Sequence, residues 1–156
     1  VSARTKFLVR FAVLLLVFEL PLLLDPVDRY VVRPLSAGIA AVSGAIVGVP
    51  ANGTVIASAC FAVNIQNGCN GLETALFLVA AVLAFPATPR QRLLAGAAGI
   101  ALIQIVNLIR VITLYLVGCH KPEWFASFHL AIWQTIVFAT AVLFFAAWSR
   151  RVTARA

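Results

Sequence analysis

Residues 93–118 read LLAGAAGIALIQIVNLIRVITLYLVG, with Arg110 as the one charge in twenty-six positions. Coiled as an α-helix, this run is about 39 Å long, against a hydrocarbon core of roughly 30 Å. It predicts a membrane-spanning helix that tilts or protrudes. The rest of the chain agrees. Of 156 residues, 63% are hydrophobic, and the mean hydropathy is +1.04. A soluble domain of this size is nearer half apolar. Too few polar residues are left to cover a water-facing surface, so residues 1–156 read as a single integral membrane domain.

Four further apolar runs flank the first. Residues 7–24 are just long enough to span and are interrupted by Glu19 and Pro21. The run is too long for a signal peptide and lacks a small-residue cleavage site, so it is expected to stay as an anchor. Residues 25–34 look like a polar connector, with Asp25, Pro26, Asp28, Arg29, Arg33 and Pro34. Residues 35–49 are rich in Ala, Gly and Ser and short for a span, which suits a partial or interfacial helix. After the Asn52-Gly53 turn, residues 54–66 carry β-branched side chains with partial alternation, as in an extended segment or small hairpin. Its backbone groups must be paired or wet, so it belongs at the interface or under helices. Residues 72–85 and 126–148 complete the set. The expected fold is an all-α polytopic membrane protein with about four spanning helices, one short helix and this extended piece.

Charge gives an expected orientation. Twelve Lys and Arg outweigh five Asp and Glu, a net charge of +7. The basic residues sit at the ends of apolar runs: Arg4, Lys6 and Arg10; Arg90 and Arg92; Arg150, Arg151 and Arg155. That distribution marks topology and contact with anionic lipid. It is not the basic stripe with interleaved aromatics that binds nucleic acid. The two termini and the 86–92 loop then face the cytoplasm. Residues 25–71 and the 118–126 loop face outward, provided the 35–49 helix makes no net crossing.

Three chemically able side chains fall on that outer side. Cys69 lies in Asn67-Gly68-Cys69-Asn70-Gly71, just before a helix, where unpaired N–H groups favour a thiolate. Asn67 and Asn70 suit a turn or cap. Glu73, one turn on, is read as a structural cap partner, with pairing to Arg110 as the other reading. Arg110 is expensive in lipid and calls for partners or a wet cavity. There it can hold a developing oxyanion, with Asn107 three residues earlier on the same face. His129 titrates near neutrality and can serve as base and then acid. Taken singly, each has an ordinary structural role: an inert thiol, a snorkelling arginine, a histidine in an aromatic belt with Trp124 and Trp133. Their convergence at one membrane face points to a cysteine-dependent acyl-transfer site. Three cysteines leave at least one free thiol; a Cys60–Cys119 pair would leave Cys69 free, and other pairings remain open. No spacing suggests a metal or cofactor site.

The elements Asn67-Gly68-Cys69-Asn70-Gly71-Leu72-Glu73, Asn107-Leu108-Ile109-Arg110-Val111 and Phe128-His129-Leu130, in that order, resemble the exosortase/archaeosortase family, and within it the compact exosortase H type. The motif region covers about residues 60–135. The resemblance implies a polytopic cysteine protease/transpeptidase at the outer face of the bacterial cytoplasmic membrane. Its partners would be exported proteins ending in a short motif, a membrane helix and a basic cluster, together with membrane lipid and an acceptor nucleophile. Cys69 then matches the nucleophile, Arg110 the arginine and His129 the histidine. Its 156 residues are fewer than in the commoner eight-helix exosortases, so their additional helices are not expected within this sequence. The competing reading is a non-enzymatic, small-molecule or lipid-binding transporter subunit, in which Arg110 holds an anion and Cys69 is replaceable by Ser.

Overall fold

The computed structural model describes residues 2–154, and the chain is mostly helical. Helix α1 (Ala3–Glu19) opens on Ser2, whose hydroxyl accepts the Thr5 N–H at 3.2 Å. It buries none of its residues; Val13, Leu16 and Val17 stay exposed, as a lipid-facing helix requires. A 3₁₀ turn, Leu20–Leu23, carries the break made by Pro21.

Residues 25–34 are not a connector. They are helical and run straight on, giving one helix, α2 (Asp25–Val47), of 23 residues. The prolines explain why this works. Pro26 sits in the opening turn, where a missing N–H is no loss. Pro34 comes after a wide π-helical turn, Asp28–Val32, in which the Arg33 N–H bonds Asp28 O, five residues back. By length and composition α2 is able to cross a membrane. Its two ends nonetheless neighbour the same small sheet: Asp28 and Arg33 share a cavity with Thr54 and Gln66, and Val47 packs beside Ile56.

The extended segment expected over residues 54–66 belongs to a three-stranded antiparallel sheet in the order β1-β2-β3. Its strands are β1 (Ala51–Asn52), β2 (Val55–Ala57) and β3 (Ala62–Asn64). Ile56 pairs with Ala51 on one side and Val63 on the other. Ala40, Ile56, Val63, Ile65, Val111 and Tyr115 form the small core beneath it.

Helix α3 (Leu72–Ala84) has 13 residues and lies centrally, against α1, α4 (Pro89–His120) and α5 (Pro122–Thr153). At about 20 Å it is short for a span. Gly99 lets α4 come close: a Cβ there would lie 2.7 Å from Leu78 Cδ2. Helix α4 starts at a capping box, with Thr88 Oγ1 accepting the Gln91 N–H and Gln91 Oε1 accepting the Thr88 N–H at 2.9 Å. It spans 32 residues, about 48 Å. Among the described residues, three helices (α2, α4 and α5) are long and apolar enough to cross a membrane, and α1 and α3 are shorter. The fold is thus an all-α polytopic membrane protein carrying a small sheet. Arg10, Arg92 and Val152 meet at the end of the bundle opposite the sheet.

Candidate active site

The Gln66–Gly71 segment is a chain of tight turns between β3 and α3. The Cys69 N–H bonds Gln66 O at 3.0 Å. Gly71 adopts φ 72°, a left-handed conformation disfavoured for any residue with a Cβ. It also lies flat on Asn107: a Cβ at this position would stand 3.0 Å from Asn107 Cβ. Asn70 is fully buried and fixes the turn from both sides. Its Oδ1 accepts the Leu72 N–H at 3.0 Å, and its Nδ2 donates to Ser36 Oγ at 3.2 Å. Asn70 therefore holds the first amide of α3 from the residue before its N-cap, Gly71, and ties the turn to α2.

This frame aims Cys69 at the start of α5, where Sγ lies 2.9 Å from His129 Nε2. His129 stands in a second π-helical turn, Phe128–Ile132, closed by the Trp133 N–H on Phe128 O. Phe125, one turn earlier, stacks on the imidazole with centroids 5.6 Å apart. Burial pushes the Cys69 thiol up; the Arg110 charge opposes that and Glu73 reinforces it. At this distance a thiol Sγ–H is able to donate to an unprotonated Nε2.

Arg110 is 3% exposed, and its Nε has no hydrogen-bond partner. It is close enough for its charge to act on both Cys69 and His129. Asn107 is fully buried below Gly71, with Oδ1 and Nδ2 both unpartnered. Buried polar groups are normally paired, and leaving one unpaired costs about 1–3 kcal/mol. Two such side chains one turn apart, beside a thiol, form a site ready for a polar group from outside the chain. Of the amides at residues 69–72, those of Cys69 and Leu72 are engaged, while among the described residues those of Asn70 and Gly71 are free.

Not every expected residue joins in. Asn67 is exposed and lines a separate cavity with Arg33 and Gln66. Glu73 does not pair with Arg110; among the described residues the one ion pair is Arg33–Asp28 at 2.7 Å. Among the described residues, no three His, Cys, Asp or Glu side chains cluster as metal ligands would.

Cys60 and Cys119 form a disulfide, leaving Cys69 as the free thiol. The bridge pins the β2–β3 turn to the end of α4. Tyr115 supports it, donating its hydroxyl to Ser58 Oγ at 2.7 Å. Neither Ser58 nor Ser36 stands out in the sequence. Phe125 carried a signal, the i, i+4 spacing to His129. Behind the pair is a cavity of about 260 Å³, walled by Phe61, Val63, Ile65, Val111, Leu114 and Phe125.

A family model described as transmembrane exosortase matches residues 2–147. No curated protein and no solved structure matches the chain.

Proposed function

The chain belongs to the transmembrane exosortase family, and on that premise we propose that it is a cysteine transpeptidase that cleaves the C-terminal sorting signal of exported proteins through a thioester on Cys69. The observation that carries this reading is the 2.9 Å contact between Cys69 Sγ and His129 Nε2 beside a buried, unpartnered Arg110. A binding subunit has no use for that contact.

The substrate's membrane helix packs against the bundle and holds its cleavage motif at the outer interface. His129 Nε2 takes the proton of Cys69 as Sγ attacks the scissile carbonyl carbon. The carbonyl oxygen gains the electron pair and becomes an oxyanion beside Arg110, whose charge persists in a dry site. The C–N bond then breaks, and His129 gives its proton to the leaving amine. The tail keeps its new amino terminus and stays in the membrane, while the exported part remains on Cys69 as a thioester. An amine or hydroxyl acceptor, or water, attacks that carbonyl. Its proton returns through His129 to Sγ, which restores the thiol.

The test is acid quenching of the wild-type protein during turnover with an exported substrate, then peptide mapping. The expected result is an acyl adduct on the Cys69 peptide that hydroxylamine removes. Processing that continues with no adduct on Cys69 overturns the thioester.

A further inference from the structure

Strand β3 has one partner, β2, and its other side is an open edge. The hydrogen-bond parity shows which groups that edge offers. Ile65 N–H bonds Thr54 O, and Ser58 N–H bonds Phe61 O. With Ile56 opposite Val63, these fix 54/65, 56/63 and 58/61 as the hydrogen-bonded pairs. The alternating residues, Ala62 and Asn64, therefore turn their main-chain N–H and C=O groups away from β2. Both residues are exposed, and among the described residues neither amide bonds another element. Both also line the cavity that contains Cys69 and His129.

We propose that the free edge of β3 is the substrate-docking element: the segment preceding the substrate's membrane helix adds to it as a fourth strand. This rests on the transpeptidase reading of Cys69. Three observations select an extended peptide as the occupant. Lipid cannot satisfy an open strand edge, so the edge needs water or a polar partner. Only another backbone matches two N–H and C=O pairs at strand spacing. The edge is also continuous with the nucleophile, so a peptide held there passes Sγ in the extended form that exposes its scissile amide. Because β3 is three residues long, it reads a short motif. The cavity is walled by Phe61, Val63, Ile65 and Leu114, and it receives one small or medium apolar side chain of that motif. The next side chain, on the opposite face of the added strand, points out and is free to be polar.

The test uses the full protein in detergent or vesicles with an exported substrate. Ala62→Pro removes one outward N–H without touching the β2 pairing, a substitution that edge strands tolerate. We expect Ala62→Pro to lower kcat/KM tenfold or more while keeping the Cys60–Cys119 disulfide and the wild-type rate of Cys69 alkylation. A second measurement needs no variant. N-methylation of successive substrate amides before the cleavage point should impair processing at alternate positions. Cys69-dependent processing that is indifferent to Ala62→Pro and shows no alternation overturns edge pairing alone. Equal processing by Cys69→Ala overturns the transpeptidase reading beneath it, so the two failures are distinguishable.

Discussion

At the residue scale, the proposed chemistry rests on the 2.9 Å contact between Cys69 and His129 and on the Arg110 charge beside it. Burial raises the Cys69 thiol, so on its own it ionises at a pH above the ~8.5 of a free cysteine. A raised thiol pKa means that the thiolate is scarce near neutrality and gains as pH rises. In His129→Gln, alkylation of Cys69 by iodoacetamide should therefore stay slow at pH 7 and climb only beyond pH ~8.5, whereas wild type reacts sooner because His129 takes the proton. Matching pH profiles would remove His129 from the activation step. Arg110→Gln should lower the single-turnover cleavage rate by about 10²–10³, the usual loss for one oxyanion donor, with Arg110→Lys in between. Wild-type turnover in Arg110→Gln would leave Arg110 a structural role. The meeting of Cys69 with His129 was legible in the sequence, because a thiol just before one apolar run and an imidazole at the start of another fall at the same membrane face. The role of Asn67 was not, since a turn asparagine looks the same whether its side chain faces the thiol or water. Only the fold shows that Glu73 and Arg110 stay apart.

At the element scale, the site depends on how backbone irregularities aim side chains. Two π-helical turns, Asp28–Val32 and Phe128–Ile132, rotate the helical residues downstream of them, and the second carries His129. The turn before α3 depends on Gly71. Gly71→Ala imposes a left-handed conformation, at about 1–2 kcal/mol, and drives a methyl into Asn107. It should lower Tm in detergent and slow cleavage. Gly48→Ala makes the informative contrast: φ is 71° there, but nothing stands within 4 Å, so only Tm should fall. Equal effects of both on cleavage would sever Gly71 from the site. The helices themselves were legible from apolar runs. Residues 25–34 misled because their charges and prolines describe a loop, while proline in an opening turn and a widened turn before the next one let the helix pass through. The sheet was half legible: alternation marked residues 54–66, but the first strand is two residues long and leaves no periodicity to read.

At the scale of the whole molecule, the two ends of the bundle are chemically different. The thiol, imidazole, sheet and disulfide gather at one end, while Arg10 and Arg92 lie at the other. The proposed action on exported proteins places the first end outward, the orientation that the positive-inside pattern predicts. In a Cys69→Ala background, Asn52→Cys should react with a membrane-impermeant maleimide on intact cells, and Pro86→Cys only after permeabilisation. The reverse pattern would invert the molecule and remove its access to exported substrates. That the ends differ was legible from where Lys and Arg fall. That α3, the shortest helix, is the one the others pack around was not, because lipid-facing and buried helices are both apolar.

The most direct test of the central claim is the intact mass of an exported protein with a C-terminal motif, helix and basic cluster, after co-expression with wild type or with Cys69→Ala. Loss of the tail with wild type and an unprocessed mass with Cys69→Ala is the predicted result, and any added mass identifies the acceptor. The same tail loss with Cys69→Ala would contradict it.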